Sequence, residues 1–227
     1  MDELTLADLD RDGAIREAFE EASGESRASF LGKAALGGAA ALLSTLAAPA
    51  RAEAAVASDV AILNYALTLE YLQASFYTEA ERLGAIRGKL RRIPPQLGAV
   101  ERAHVKAIRG VLGRSAVKRP AFDFHGVTEN ESAFLKTAVA FEDLAAAAYK
   151  AQAARITSPA LLAAAVSIHS VEARHAAWMR FLAGAKPATT AFDEGKSIPE
   201  VRSIVASTHF VAAHPKMTAK KRPKFTG

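Results

Sequence analysis

Six residues set the terms for this chain: Glu70, then Glu101 with His104 three positions on, then Glu142, then Glu172 with His175 three positions on. In an α-helix, positions i and i+3 share a face about a turn apart, so each Glu-x-x-His pair aims a carboxylate and an imidazole at one point. Two such pairs plus two single glutamates form the ligand set with which a helical bundle holds two metal ions. The spacing repeats as well, because Glu70 to Glu101 is 31 positions and Glu142 to Glu172 is 30. Tyr77 and Tyr149 each follow their glutamate by seven positions, two turns along the same face. Leu63 with Leu135, Ala66 with Ala138, Leu69 with Phe141 and Ala74 with Ala146 share a 72-residue offset. The pattern predicts two related helical hairpins facing each other across a pseudo-twofold axis.

Punctuation residues place the helices. Ser58 and Asp59 are expected to cap a first helix with an apolar stripe through Ile62, Leu63, Ala66, Leu69, Gln73, Phe76, Tyr77 and Ala80. Gly84 and Gly88 loosen its end, and Pro94 and Pro95 open a second helix that carries Glu101 and His104 and closes at Gly110 and Gly113. The stretch from Arg114 to Val127 has Pro120, Gly126 and two phenylalanines but no period, and reads as a long crossover between the hairpins. Thr128 followed by Glu131 predicts a capping box for a third helix, to about Arg155. Ser158 and Pro159 open a fourth, which Gly184 and Pro187 end. One short helix is expected from Pro199 to Thr208, packed through Val201, Ile204 and Val205. No strand pattern appears, so the fold class is all-α: a four-helix bundle of two hairpins plus a short C-terminal helix.

A lone glutamate on a helix is ordinarily a solvated residue. Here Glu70 follows ten uncharged residues and Glu142 follows an uncharged stretch from Thr137 to Phe141, so each lies on or beside an apolar stripe. An unpaired charge there costs several kcal/mol, and a neutralising metal is the common remedy. Carboxylate oxygen with one imidazole per metal suits two iron ions, or alternatively two manganese ions. The spacing does not decide which glutamates bridge. Tyr77 and Tyr149 either donate hydroxyls to ligand carboxylates of the facing hairpin or pack as ordinary core aromatics. His169, one turn before Glu172, reads as a hydrogen-bonded core histidine, with a spare ligand as the alternative. Trp178 is expected to pack in the bundle, and His125, His209 and His214 have no partner spacing.

The N-terminal part differs from the rest. Residues 1–25 are acidic; a segment with Arg27, Phe30, Leu31 and Lys33 precedes an uncharged Ala/Gly/Leu run from Ala34 to Ala50, and Ala50-Arg51-Ala52 ends it. Positive charge, apolar run and small-x-small ending predict an export signal cleaved after Ala52, with an uncleaved membrane anchor as the alternative. Three regions follow: a leader over 1–52, a bundle over 53–188 and an extension over 189–227. Residues 1–52 hold 5 Lys/Arg and 9 Asp/Glu, leaving 24 and 15 in the remainder, a net charge of +9. Such a surface favours anionic partners such as lipid headgroups or envelope polymers. The basic residues are dispersed over Arg82 to Lys118 and Lys220 to Lys224 without interleaved aromatics, which argues against specific nucleic-acid binding. The chain has no cysteine, which excludes disulfides and thiolate metal sites.

At the six ligand positions the chain resembles the ferritin-like superfamily, with the ligand order of bacterioferritins and rubrerythrins; from the exported, desiccation- or stress-related type it implies location in the periplasm or cell envelope. The segment before the apolar run resembles a twin-arginine motif, with Ala28 in the second arginine's place. Heme is not implied, since Arg102 stands where bacterioferritins place their heme-ligating methionine. The resemblance implies a di-iron or di-manganese oxidoreductase that reacts with peroxide or oxygen, draws on an electron donor and protects against stress. The alternative is a non-catalytic metal-binding structural or stress protein with a basic surface, its partners anionic polymers or a second copy of the chain in a homo-oligomer.

Overall fold

The computed structural model describes residues 48–188 and 190–212, with side chains described at Val56 and from residue 58 onward. Five α-helices account for most of it: α1 (Ala48–Leu83), α2 (Ile93–Leu112), α3 (Glu131–Ala153), α4 (Pro159–Leu182) and α5 (Ile198–Ser207). The first four form the bundle. The packed core lies in the unit that begins at Glu53. The predicted leader lies almost wholly outside the described residues, as do Lys220 to Lys224 and His214. Among the described residues no helix is long and apolar enough to cross a membrane.

α1 does not start at Ser58 and Asp59 but runs through them from Ala48. Asp59 is buried and caps something else. Its carboxylate accepts from the backbone N–H of Thr157 at 2.9 Å and of Ser158 at 3.0 Å, and from the Thr157 hydroxyl at 2.9 Å, which ties the α3–α4 turn to α1. Ser158 in turn caps α4 by accepting from the Leu161 N–H, with Pro159 at the first helical position. The expected capping box at Thr128 is displaced by two residues. Asn130 is the cap of α3, accepting from the Ala133 N–H at 2.9 Å, while Thr128 is buried in a 3-10 turn and donates its hydroxyl to Glu79 at 2.7 Å. α2 passes through Gly110 and stops at Gly113, whose φ of 52° belongs to the left-handed region.

The crossover is held along α1. Asn64 accepts from the Val117 N–H at 2.8 Å and donates to the Ser115 carbonyl at 2.9 Å, and Arg119 reaches the Ser75 hydroxyl. Contrary to the sequence pattern, there are strands: β1 (Ala121–Phe122) pairs antiparallel with β2 (Val211–Ala212). Two residues per strand are too few to show a period. Phe210, next to β2, packs edge-on against Phe124 and Phe141, so the C-terminal segment closes over the crossover. His125 and His209 both take positive φ there, and His125 Nε2 meets the His209 carbonyl at 3.2 Å. The segment before α5 lies against α3, with the Lys196 N–H donating to the Ala147 carbonyl at 3.0 Å. α5 then buries Val201 against Tyr65, Leu69, Leu144 and Ala148. Val205 is half-buried, but Ile204 is 40% exposed, because a ten-residue helix resting on one face presents only part of its apolar set to the core. Trp178 likewise does not pack inside: it is 38% exposed, one position off the buried stripe of Glu172, His175, Ala176 and Met179.

Candidate metal centre

Each bundle helix delivers its part of the cluster from the middle of its length. α1 supplies Glu70, α2 Glu101 and His104, α3 Glu142, and α4 Glu172 and His175. All four carboxylates are fully buried, and both imidazoles are 8% exposed. Aromatic packing shields one flank, where Phe76 stacks on Phe134 and meets Phe141 edge-on, each pair with ring centres 5.1 Å apart.

The six side chains form two overlapping groups. Glu70, Glu101, His104 and Glu172 offer one atom each within 4.8 Å of one another, and so do Glu101, Glu142, Glu172 and His175. Glu101 and Glu172 belong to both groups, whereas Glu70 and Glu142 belong to one each. His104 Nδ1 lies 3.3 Å from Glu70 Oε2, 3.3 Å from Glu101 Oε2 and 3.1 Å from Glu172 Oε1. His175 Nδ1 lies 3.0 Å from Glu101 Oε1 and 3.5 Å from Glu142 Oε2. The two oxygens of Glu101 thus face different imidazoles, as a bridging carboxylate would.

Many of these contacts are not hydrogen bonds. Glu70 Oε2, Glu101 Oε1, Glu172 Oε1 and His175 Nδ1 are buried without a hydrogen-bond partner among the described residues. Such orphaned atoms cost on the order of 1–3 kcal/mol each, more when charged, unless something satisfies them. A cation at the focus of each group would do so, and an all-oxygen-and-nitrogen donor set fits iron or manganese. The residues present therefore fit a metal pair.

Two tyrosines complete the cluster across the pseudo-twofold axis. Tyr77 on α1 donates its hydroxyl to Glu142 Oε1 on α3, and Tyr149 on α3 donates to Glu70 Oε1 on α1 at 2.5 Å. Burial and the adjacent carboxylate push both phenols well above their ordinary range, so both stay protonated and donate. Each holds one oxygen of its glutamate and leaves the other facing the imidazole. His169 is in neither group; it is half-buried with Nδ1 lacking a hydrogen-bond partner among the described residues. A residue that sequence reasoning passed over is Gln73, read only as part of the apolar stripe. Its Nε2 donates to Glu142 Oε2 at 3.2 Å and to Glu172 Oε2 at 3.3 Å. The polar side chain on an otherwise apolar face, one turn after Glu70, was the available signal.

The buried carboxylates and imidazoles shift one another's proton affinities. Burial pushes Glu70 up to about 8, reinforced by Glu172 and Glu101 and opposed by His104. Burial also raises Glu142, again opposed by an imidazole, that of His175. Glu101 goes the other way: burial would raise it, but the imidazoles of His104 and His175 hold it at about 2. Burial alone would lower the imidazoles; the surrounding carboxylates instead lift His104 to about 12 and His175 to about 10.

No curated protein sequence matches the chain. A family model described as the ferritin-like domain matches residues 58–185, which takes in all four bundle helices from their first described core positions and all six clustered side chains. With that match over more than half of its length, the chain belongs to the ferritin-like domain family.

Proposed function

We propose that this chain is a dinuclear iron or manganese carboxylate protein that reacts with peroxide or oxygen in protection of the cell envelope against stress. The observation that carries the metal centre is the sharing of Glu101 and Glu172 between two buried four-residue groups. Glu70 and His104 would hold one ion, Glu142 and His175 the other, and Glu101 and Glu172 both. When bound, two such redox-active ions would supply a two-electron couple for the reduction of an O–O bond. The chain's own residues do the rest. Tyr77 and Tyr149 orient the terminal carboxylates, and the packed aromatic flank keeps water from the buried oxygens. The envelope location rests on the sequence from Arg27 to Ala52, and the oxidant on what the family's ligand set can support.

Elemental analysis of the purified full chain is the first test, beside a Glu101→Ala/Glu172→Ala variant, with peroxide consumption and ferrous-iron oxidation measured on the loaded protein. About two iron or manganese ions per chain, absent from the variant, with multiple turnovers, is the expected result. Metal held stoichiometrically without turnover would leave a structural or buffering metal site instead.

A further inference from the structure

The pseudo-twofold repeat that makes the two halves of the cluster alike is broken at a side chain that touches the cluster. Glu70, Tyr77, Leu69 and Ala74 have counterparts 72 residues on at Glu142, Tyr149, Phe141 and Ala146, but the counterpart of Gln73 is Ala145. Gln73 is 2% exposed and Ala145 1%, so the difference lies inside the bundle. The amide does not reach the cluster evenly. Its Nε2 donates to Glu142 Oε2 and Glu172 Oε2, at 3.2 and 3.3 Å. Glu142 Oε2 is the oxygen that faces His175, and Glu172 turns its other oxygen, Oε1, to His104. Neither atom is one that faces His104.

On the His104 side Glu70 Oε2 and Glu172 Oε1 face the imidazole, at 3.3 and 3.1 Å, without a hydrogen-bond partner among the described residues, and Ala145 has no donor to offer. Gln73 differs in kind from the tyrosines. Each tyrosine takes the oxygen that faces away from the imidazole and so orients its glutamate, whereas Gln73 sits on the oxygen an ion would need. A donor there draws charge from that oxygen and must be displaced or shared when a cation arrives. Gln73 and Ala145 line a shallow cleft between α1 and α3 with Leu69, Leu72, Phe141 and Leu144.

We infer that Gln73 makes the two metal positions unequal: the Glu70/His104 position takes the first ion, and the Glu142/His175 position, guarded by the amide, is the weaker and more exchangeable one. The inference rests on the dinuclear reading above and concerns filling order, which that reading leaves open. Gln73 is here a positioning residue. Its role is testable with Mn2+ alone, on the full chain, by calorimetry and electron paramagnetic resonance. The wild-type protein should bind in two separate steps, with the signal of an isolated ion growing to the first equivalent before that of a coupled pair replaces it. Gln73→Met keeps the volume and removes the donor. It should tighten the second step by about tenfold, the scale of one hydrogen bond to a charged group that no longer has to be displaced, bring the coupled-pair signal forward and leave the first step in place. Gln73→Leu serves equally if the methionine variant does not fold by circular dichroism. A coupled-pair signal from the first addition to wild-type protein would overturn the inference, as would a second step that is unchanged or weakened in a folded variant. Wild-type protein that takes up neither Mn2+ nor Fe2+ would overturn the proposed function, and this inference with it.

Discussion

A tyrosine from the opposite hairpin holds one oxygen of Glu70 and one of Glu142 and leaves the other turned toward an imidazole, that of Glu142 also accepting from Gln73. Removing that hold should loosen the site without disturbing the fold, since a phenylalanine ring fills the same space. Tyr149→Phe is expected to lower the affinity of the Glu70/His104 position by about tenfold, the lower end for partners of this kind, and Tyr77→Phe to do the same at the Glu142/His175 position. Metal titrations followed by calorimetry measure both; unchanged affinities would reduce the tyrosines to packing. The protons in the cluster make a second prediction. At pH 7 the metal-free site holds protons on His104, His175 and Glu70, whose values of about 12, 10 and 8 all lie above that pH. A metal ion needs neutral imidazoles and ionised carboxylates, so binding must release protons, and affinity should rise with pH between about 6 and 8. Calorimetry in buffers of different ionisation enthalpy reads the sign directly, and proton uptake would contradict it. How much of this site the sequence could show follows from geometry. The i, i+3 spacing fixes which face Glu101 and His104 share, so all six ligand candidates were legible. Which carboxylate lies between the imidazoles depends on how four helices are rotated about their axes, and Gln73 looked like a stripe residue because a stripe does not reveal which neighbours meet it.

At the scale of the elements, the bundle was legible because long helices repeat their apolar positions many times, and the four helices have their predicted order. Ends were less so. Ser58 and Asp59 have the composition of a cap, yet the residues before them continue the helix, and Asp59 serves a turn nearly a hundred positions away. No local pattern encodes a contact at that separation. Asp59→Ala should therefore act on the α3–α4 turn rather than on α1. It leaves the Thr157 and Ser158 N–H groups without their acceptor and should cost about 2–3 kcal/mol, read by chemical denaturation. A loss under about 0.5 kcal/mol would place those groups within reach of water. The close approach of α1 and α2 depends on a different residue. A Cβ added at Gly98 would lie 3.1 Å from the Tyr77 Cβ and 2.9 Å from Arg102 Nη1. The arginine tip can swing aside, but Tyr77 is fully buried with its hydroxyl on Glu142. Glycine in mid-helix sacrifices about 1 kcal/mol of propensity relative to alanine, so a simple helix would gain from its replacement. In this one Gly98→Val should lower stability by about 1–3 kcal/mol, the usual penalty of overpacking, and weaken metal binding on the Glu142 side as Tyr77 is pushed. A variant as stable as wild type would show that the helices can part without loss.

The whole molecule carries a conflict between stability and its proposed chemistry. Four carboxylates and two imidazoles at the centre of the bundle displace apolar side chains that would pack there at no electrostatic cost, and several of their polar atoms have no hydrogen bond among the described residues. The surrounding architecture offsets this. Three clusters of buried apolar residues enclose the site, and α5 and the β1–β2 pair fasten the C-terminal segment over bundle and crossover. The metal-free fold is accordingly expected to be stable without being at its optimum. Anything that binds the folded cluster and not the unfolded chain stabilises it by mass action, by about 2.7 kcal/mol for one site at a hundred times its dissociation constant. For a domain of this size that corresponds to a rise in Tm on the order of 5–10 °C, growing with the logarithm of free Mn2+ or Fe2+. Glu70→Gln separates the two sides of the conflict. The amide can still accept from Tyr149, and it stands in for the uncharged, protonated acid that the metal-free site holds at pH 7. Its metal-free Tm should equal or exceed that of wild type, while its metal-induced rise shrinks. A metal-free Tm several degrees lower would mean that Glu70 supports the fold on its own account, and the cluster would then be an element of the core before it is a metal site.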